Sequence, residues 1–518
     1  MAERLRTLSP GLSAGGLAAG LLLLLILGTL AAVAVYAGGL SALGEWDWRA
    51  VWFTVWQAAA SASLSALLAV PVARALARRR FPGRGLLITL LGAPFILPVI
   101  VAVMGLVSVF GRGGLVNGAL GTFGVGPVSI YGWQGVILAH VFFNLPLSVR
   151  MILHGWQAIP AERFRLAQSL DFGPADIARH LERPMLRDVL PGAWLAVFLV
   201  CLTSFAVALA LGGGPRATTV ELAIYQAFRF DFDMGKAATL ALVQVGLCLL
   251  ALAVAAQVNR PADFGAGMDR DTPLPAPGGW LRGADGLAIL LAAAFLLVPM
   301  VAVFVQGVPN LPGLPGSVWA AAARSVVMAL ISAFAALALA LALSDAIARG
   351  QRWAEFAGML PLVASPLVLG TGLFLMLRMV ASPTELALPV TVAINAIMAL
   401  PFALRILLPA AQALQSDYGR LAESLGMRGL ARMRLLTLPR LARPLGFAGG
   451  LSAALAMGDL GVITLFADSR NPTLPLKLYQ LMNSYRMGDA AACAVLLMAI
   501  SFALFWLFDR KGRAHAAV

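Results

Sequence analysis

Apolar residues along this chain form long continuous blocks and do not alternate with polar residues. Each block is about as long as the 20 residues that a helix needs to cross a bilayer. Only helices and closed barrels satisfy their backbone groups in lipid, and continuous blocks favour helices. The pattern predicts an all-α membrane protein with twelve spans, at 16–37, 51–76, 86–110, 133–155, 192–213, 235–256, 284–306, 318–346, 355–380, 386–410, 445–467 and 489–509.

The composition agrees with this prediction over the whole length of the chain. Of 518 residues, 60% are hydrophobic and 12% are charged, whereas a soluble domain has about 25% charged residues. The net charge of +14 does not indicate nucleic-acid binding, because no soluble basic domain is present. The three cysteines lie in apolar blocks and are expected to be small buried residues.

The basic residues fall mainly after the second, fourth, eighth, tenth and twelfth spans. The loops between the other spans hold few of them, so the positive-inside rule places both termini in the cytoplasm. The first block is too long for the apolar region of a signal peptide and is predicted to be an uncleaved helix. These basic clusters are Arg74, Arg78, Arg79, Arg80 and Arg84; Arg163, Arg165, Arg179, Arg183 and Arg187; Arg349 and Arg352; Arg420, Arg428, Arg432, Arg434, Arg440 and Arg443; and Arg510, Lys511 and Arg513.

The two halves of the chain repeat each other. The sequence RLAQSL at 165–170 matches RLAESL at 420–425, and Pro184 matches Pro439 at the same separation. With six spans in each unit, both copies insert the same way up, around a pseudo-two-fold axis along the membrane normal. We therefore predict halves at 1–256 and 284–518 with a path between them, joined by a cytoplasmic linker at 257–283 that is rich in Pro, Gly and Asp.

Each half also carries a long polar segment after its fourth span, at 161–190 and 414–444. Each is predicted to be a short helix, a break, a second short helix and a proline. Gly426 suits the break because glycine tolerates a positive φ, and Pro439 is expected to stop the second helix. Leu430, Met433 and Leu436 space an apolar face that suits a groove of a partner protein. The alternative is an amphipathic loop that rests on anionic lipid.

This pair of segments resembles the EAA loop in the permease subunits of binding-protein-dependent ABC importers. Gly426 takes the place of the loop's glycine and Pro439 that of its proline, while Arg420 replaces the leading glutamate. In the first copy Asp171 stands at the glycine position. The resemblance implies that the loops dock on the ATPase subunit, through Arg165, Ala167, Asp171, Gly173, Pro184, Arg420, Ala422, Glu423, Gly426, Leu430 and Pro439.

Nearly the whole chain is similar to the permease of the thiamine and thiamine-pyrophosphate importer. The segments that carry this similarity lie at 96–112, 131–146, 211–226 and 458–466, and LGGGPRATTVELAIYQ at 211–226 is the most specific. The fused ferric-iron permease, which also has duplicated halves and EAA loops, is the alternative. The resemblance implies a type I ABC importer fold in the bacterial inner membrane, two copies of a separate ATPase and a periplasmic binding protein.

Five polar residues in the spans are candidates for the translocation path. Asp459 is a possible counter-ion for a passing cation, because a carboxylate inside the membrane is a functional candidate by default. Alternatively it caps a broken helix beside Gly458 and Gly461, as Ser204 would at the matching position. Interhelical hydrogen bonding is the favoured role of the other three, His140, Asn144 and Asn395.

Charged residues also mark two predicted periplasmic segments, at 214–233 and 468–486. They are either landing sites for the binding protein or ordinary solvated loops. The first segment carries Arg216, Glu221, Arg229, Asp231 and Asp233, and the second carries Asp468, Arg470, Lys477 and Arg486.

The sequence offers no catalytic or metal-binding motif. It contains no phosphate-binding loop of the form GxxxxGK[ST], so no cofactor is expected on this chain, and ATP and magnesium would bind to the separate ATPase. A secondary transporter would more often show ionisable residues in its spans and would not need paired docking loops. A membrane enzyme would need clustered catalytic residues, and the four histidines are scattered.

Overall fold

The computed structural model describes residues 14–39, 43–91, 96–258, 278–378, 382, 385–466 and 471–516. Within these ranges the secondary structure is helical, with short 3₁₀ and π-helical turns between α-helices. The three cysteines are free and buried, as predicted.

The α-helices are numbered along the chain. They are α1 (Ala14–Tyr36), α2 (Glu45–Arg78), α3 (Arg84–Leu90), α4 (Val99–Phe110), α5 (Leu115–Thr122), α6 (Trp133–Ala158), α7 (Ala161–Ser169), α8 (Pro174–Ile177), α9 (Arg183–Leu202), α10 (Ala206–Leu211), α11 (Val220–Arg229), α12 (Met234–Val258), α13 (Trp280–Gly307), α14 (Gly316–Ala348), α15 (Arg352–Met359), α16 (Pro366–Leu377), α17 (Ala387–Ser424), α18 (Gly429–Arg432), α19 (Leu438–Arg440), α20 (Ala442–Met457), α21 (Gly461–Phe466), α22 (Leu474–Asn483) and α23 (Met487–Ala516).

The number of spans agrees with the sequence prediction. Eleven helical segments are long and apolar enough to cross a membrane, and one bent pair makes a twelfth. In that pair Trp353–Leu362 and Pro366–Leu377 meet at 98°, whereas the sequence predicted one continuous span at 355–380. The bend comes at Ser365, whose side chain caps α16 by accepting a hydrogen bond from the Val368 N–H at 3.1 Å.

Other boundaries also differ from the prediction. The tenth span, predicted to end at residue 410, continues as α17 to Ser424, so the first short helix predicted within 414–444 is the end of that span. The third span was predicted from residue 86, but its long helix begins only at Val99. Pro98, at the N-cap, marks this start. The fifth, predicted at 192–213, already begins as α9 at Arg183, since the arginines of its first turns continue the helix. The end of the predicted linker belongs to α13, which begins at Trp280, and residues 259–277 of that linker lie outside the described part.

The two halves have the same internal packing. In the first half α2 packs against α6 and α9, and in the second α14 packs against α17 and α20. The short helices α11 and α22 are also equivalent, because a hydroxyl holds the first turn of each. The Val220 N–H donates to Thr54 Oγ1 at 2.8 Å, and the Leu474 N–H donates to Ser325 Oγ at 2.8 Å.

The first helix of each half packs against the other half as well as against its own. Helix α1 packs against α14 and α16, while α13 packs against α2 and α4. Both crossings are close, because a Cβ atom added at Gly372 of α16 would stand 2.5 Å from the Thr29 carbonyl oxygen of α1. One added at Gly105 of α4 would stand 2.8 Å from the Pro299 carbonyl oxygen of α13. The halves therefore interlock as well as abut.

Candidate coupling segments and central path

The predicted break in the first polar segment is a left-handed turn at Asp171. Its φ is +54°, a conformation that Asp tolerates better than most residues. The Phe172 N–H donates to the Ala167 carbonyl at 2.9 Å, and the Asp171 N–H donates to the Gln168 carbonyl at 3.1 Å. These two bonds close α7 as in a Schellman ending, and Gly173 then begins α8.

The second polar segment turns in the same way at Gly426. Its φ is +63°. The Met427 N–H donates to the Ala422 carbonyl at 2.9 Å, and the Gly426 N–H donates to the Glu423 carbonyl at 3.0 Å. Every partner lies 255 positions after its counterpart in the first segment, so Asp and Gly build the same turn. The turn therefore forms at the same position of both repeats, with either Asp or Gly as its left-handed residue.

The prolines do not stop the second short helices, contrary to the prediction. Each follows a π-helical turn, Ala178–Glu182 before Pro184 and Met433–Thr437 before Pro439. Both prolines stand in the first turn of the next helix, where a missing N–H costs little. Each segment therefore continues into the next span through a widened turn.

The predicted apolar face of the second segment is only partly correct. Leu430 and Met433 are exposed, but Leu436 packs inward with Leu341, Leu414 and Leu441, because the π-helical turn rotates the residues after Met433. Further exposed apolar residues lie at the end of the helix before each turn, at matching positions of the two halves. They are Leu166 and Leu170 in the first half and Leu421 and Leu425 in the second.

The two segments are anchored differently. Glu182, in the first π-helical turn, is buried and forms ion pairs with Arg78 at 2.6 Å and Arg74 at 2.9 Å of α2. The second segment has Thr437 at the equivalent position, and there the buried Arg432 donates to Gln415 of α17. The first segment is thus tied to α2 by charge, and the second is tied to the helix that leads into it.

Helix breaks in the middle of the bundle hold two of the five path candidates. Ser204 lies between α9 and α10, and Asp459 lies between α20 and α21. Asp459 Oδ1 accepts the Gly461 N–H at 3.1 Å, so this oxygen caps α21. The other oxygen, Oδ2, is buried and makes no such close hydrogen bond, and the Asn395 side chain lies near the carboxylate.

The other three path candidates lie on α6 and α17, around these breaks. The Asn395 side chain lies 3.5 Å from the Ala456 carbonyl, beside Asp459. Asn144 donates to the His140 carbonyl at 2.8 Å and to Cys201 Sγ at 3.3 Å. Both ring nitrogens of His140 are buried without a partner. His140 and Asn395 are equivalent in the repeat, since they lie 255 positions apart.

The two halves meet at these breaks and at a pair of tyrosines. A Cβ added at Gly461 would stand 3.8 Å from the Phe205 ring of the other half, and Phe205 packs edge-on against Tyr225 with centroids 5.5 Å apart. Tyr225 of α11 lies close enough to Tyr479 of α22 for the two to interact electrostatically. These tyrosines are equivalent residues, so their proximity indicates that they lie near the axis.

The two tyrosines were not among the predicted path residues. The repeated Tyr-Gln at 225–226 and 479–480 was visible in the sequence. A two-fold axis brings together equivalent residues that lie on it. That rule could have singled the pair out only once the packing of α11 and α22 was known.

The charged residues of the segments predicted to be periplasmic differ in their exposure. Arg216, Arg229 and Arg486 are exposed, but Glu221 is fully buried beside Ser365 of the other half. Glu221 therefore cannot be a landing site, because α11 folds back into the bundle and carries its first turn inward. Asp468 and Arg470 lie outside the described residues.

Two aromatic residues stand at the tips of these segments instead. Phe232 and Tyr485 have φ values of +53° and +57°, and their side chains are 76% and 88% exposed. A positive φ is strained for a bulky residue, and water does not favour exposed rings. The two residues are equivalent in the repeat, so the same unusual feature occurs once in each half.

Among the described residues, no three His, Cys, Asp or Glu side chains are grouped as metal ligands. No family model matches the chain. Relatives that match over nearly their full length include several named thiamine transport system permease protein ThiP. The protein from Brucella abortus is 41% identical over 522 residues, which cover 97% of this chain and 95% of the relative. The Salmonella typhimurium protein is 38% identical over 100% and 99%, and the Escherichia coli protein is 37% identical over 94% and 96%.

Proposed function

We propose that this chain, which belongs to the family of thiamine transport system permease proteins, is the membrane-spanning subunit of an ABC importer for thiamine or its pyrophosphate. The observation that carries the proposal is the full-length identity to relatives of that name. It favours thiamine over ferric iron, which the sequence alone left as the alternative. A multi-pass protein of the inner membrane is consistent with the twelve spans.

The two polar segments would receive the motion of two ATPase copies. Their turns are superimposable in hydrogen bonding, and exposed leucines lie at matching positions on both. A symmetric pair of surfaces suits a symmetric pair of partners. In this arrangement the arginine-rich ends and both termini face the cytoplasm, and the chain itself hydrolyses no ATP.

Transport would proceed by alternating access around the axis. Tyr225 and Tyr479 would close the path towards the periplasm, and separation of the halves would part them. The breaks at Ser204 and Asp459 expose backbone groups in the bundle, which is tolerated where irregular backbone lines a cavity. The Oδ2 atom of Asp459 would face the positive thiazolium ring during passage.

The periplasmic side would receive a binding protein loaded with substrate. Phe232 and Tyr485 suit this role because exposed aromatic side chains are enriched among the residues that dominate protein interfaces. One aromatic on each half would engage one lobe of the binding protein.

The test is uptake of labelled thiamine into proteoliposomes that hold this chain with its ATPase and binding protein. Uptake is expected to need ATP and both partners. Uptake by this chain alone under an ion gradient would overturn the proposal in favour of a secondary transporter.

The counter-ion role is tested separately with Asp459→Asn. This variant keeps an oxygen for the Gly461 N–H but loses the charge, so uptake should fall while the protein remains folded. Asp345→Asn, an exposed carboxylate on α14, is the matched control. Uptake by Asp459→Asn equal to that of this control would leave Asp459 with only its capping role.

A further inference from the structure

A groove of about 680 Å³ runs between α2 and α9 on the outside of the first half. Its walls are almost entirely apolar. They are formed by Ala66 and Leu67 of α2 and by Leu186, Leu190, Pro191 and Trp194 of α9. At its far end Trp194 Nε1 donates to Ser63 Oγ at 3.0 Å, so these two polar groups pair with each other.

The other end of the groove is basic. Arg183 and Arg187 line it, one turn apart on α9, and both are exposed. The nearest acid in sequence, Glu182, is already paired with Arg78 and Arg74. Asp188 lies on α9 but does not line the groove. Two arginines therefore remain available for an anion at this end.

The length of the groove fits a lipid chain. Eleven residues separate Arg183 from Trp194, which is about 16 Å along a helix, and this is roughly half the hydrocarbon thickness of a bilayer. Leu64, Leu67 and Leu68 of α2 are exposed around the groove, which shows that this face looks away from the bundle. An acyl chain would lie along the apolar wall with its headgroup at the arginines.

The two arginine positions are not repeated in the second half, where the nearby arginines are Arg440 and Arg443. Leu438 and Ala442 occupy the positions 255 residues after Arg183 and Arg187. The arginines also follow Glu182 directly, at the base of the first polar segment. The positions of these two arginines on α9 are therefore specific to the first half.

We infer that this groove, lined by Arg183, Arg187 and the apolar side chains of α2 and α9, binds one anionic phospholipid. The phosphate lies between the two guanidinium groups, which bind phosphate well. One acyl chain follows Leu186, Leu190 and Trp194. The site holds a lipid next to the first polar segment.

The test is native mass spectrometry of the purified full-length chain titrated with dioleoyl-phosphatidylglycerol or dioleoyl-phosphatidylcholine. The two lipids share acyl chains and differ in net charge. One phosphatidylglycerol is expected to bind more tightly than phosphatidylcholine. The double variant Arg183→Ala/Arg187→Ala should weaken phosphatidylglycerol binding by roughly thirtyfold, from two arginines near an anionic headgroup.

Two further variants control the result. Arg428→Ala/Arg434→Ala removes two exposed arginines of the second segment and should leave the affinity unchanged. Leu190→Trp keeps both arginines but fills the groove, and should also abolish the tight site. Equal affinity for the two lipids, or equal loss in both double-arginine variants, would overturn the inference. Persistence of the tight site in Leu190→Trp would do so too.

Discussion

Replacement of Glu182 by alanine tests how the first polar segment is held. Its carboxylate is 5% exposed and pairs with Arg78, which is 4% exposed, and with Arg74, which is 32% exposed. Removing one partner of a buried pair costs about 3–5 kcal/mol, because the other charge stays buried. Water screens Arg74, so we expect the lower end, about 3 kcal/mol.

The loss should appear as local opening of α8 and of the π-helical turn that contains Glu182. About 3 kcal/mol corresponds to roughly a hundredfold change in an opening equilibrium. Amide hydrogen exchange measures such openings. In Glu182→Ala the amides of 174–182 should exchange up to about a hundredfold faster. Those of 429–437 should not change, because Thr437 at the equivalent position makes no ion pair.

The double variant Glu182→Ala/Arg78→Met removes both the acid and the buried cation. Its exchange at 174–182 should return most of the way towards that of the unmodified chain. The reasoning is refuted if the single variant exchanges within about threefold of the unmodified chain. It is also refuted if the double variant is no slower than the single one.

Three other outcomes are expected. Gly372→Ala should lower the free energy of unfolding by about 1–3 kcal/mol, because its Cβ would meet an α1 carbonyl oxygen at 2.5 Å. In the control Gly20→Ala the added Cβ meets nothing within 4 Å, so thermal unfolding should be unchanged. Equal stabilities of the two variants would contradict the close crossing. Gly426→Ala should cost about 1 kcal/mol in the left-handed turn, seen as faster amide exchange at 424–428, and unchanged exchange there would count against strain. Phe232→Ala combined with Tyr485→Ala should weaken the binding protein's apparent affinity by roughly tenfold or more in ATPase assays of the complex; unchanged affinity would show that neither ring is a contact.

The number of spans and the repeat could be predicted because both are properties of the linear sequence. Hydropathy marks a span wherever it lies, and a constant separation marks a repeat. The boundaries failed where polar residues continue a helix, as at Arg183, or where a helix bends within an apolar block, as at Ser365. Apolar blocks do not show a bend, since both arms of it are equally hydrophobic.

The partners of the helices could not be predicted in the same way. Helix α1 is apolar on every side, so no face of it indicates which helix it meets. Glu221 looked like a surface charge because nothing in the sequence shows that α11 folds inward. The turn at Asp171, by contrast, was accessible from the repeat, because its counterpart is a glycine.

The crossing of the first helices sets the order in which the protein can assemble during synthesis. Helix α13 emerges when its partners α2 and α4 are already in the membrane. Helix α1 must wait for its partners in the other half, because α14 and α16 begin about 280 and 330 residues after α1 ends. At 5–20 residues per second that delay is about 15–65 s. A helix that is apolar on every face is stable in lipid during that time. The uniform surface of α1 therefore allows the first helix made to pack late against the second half.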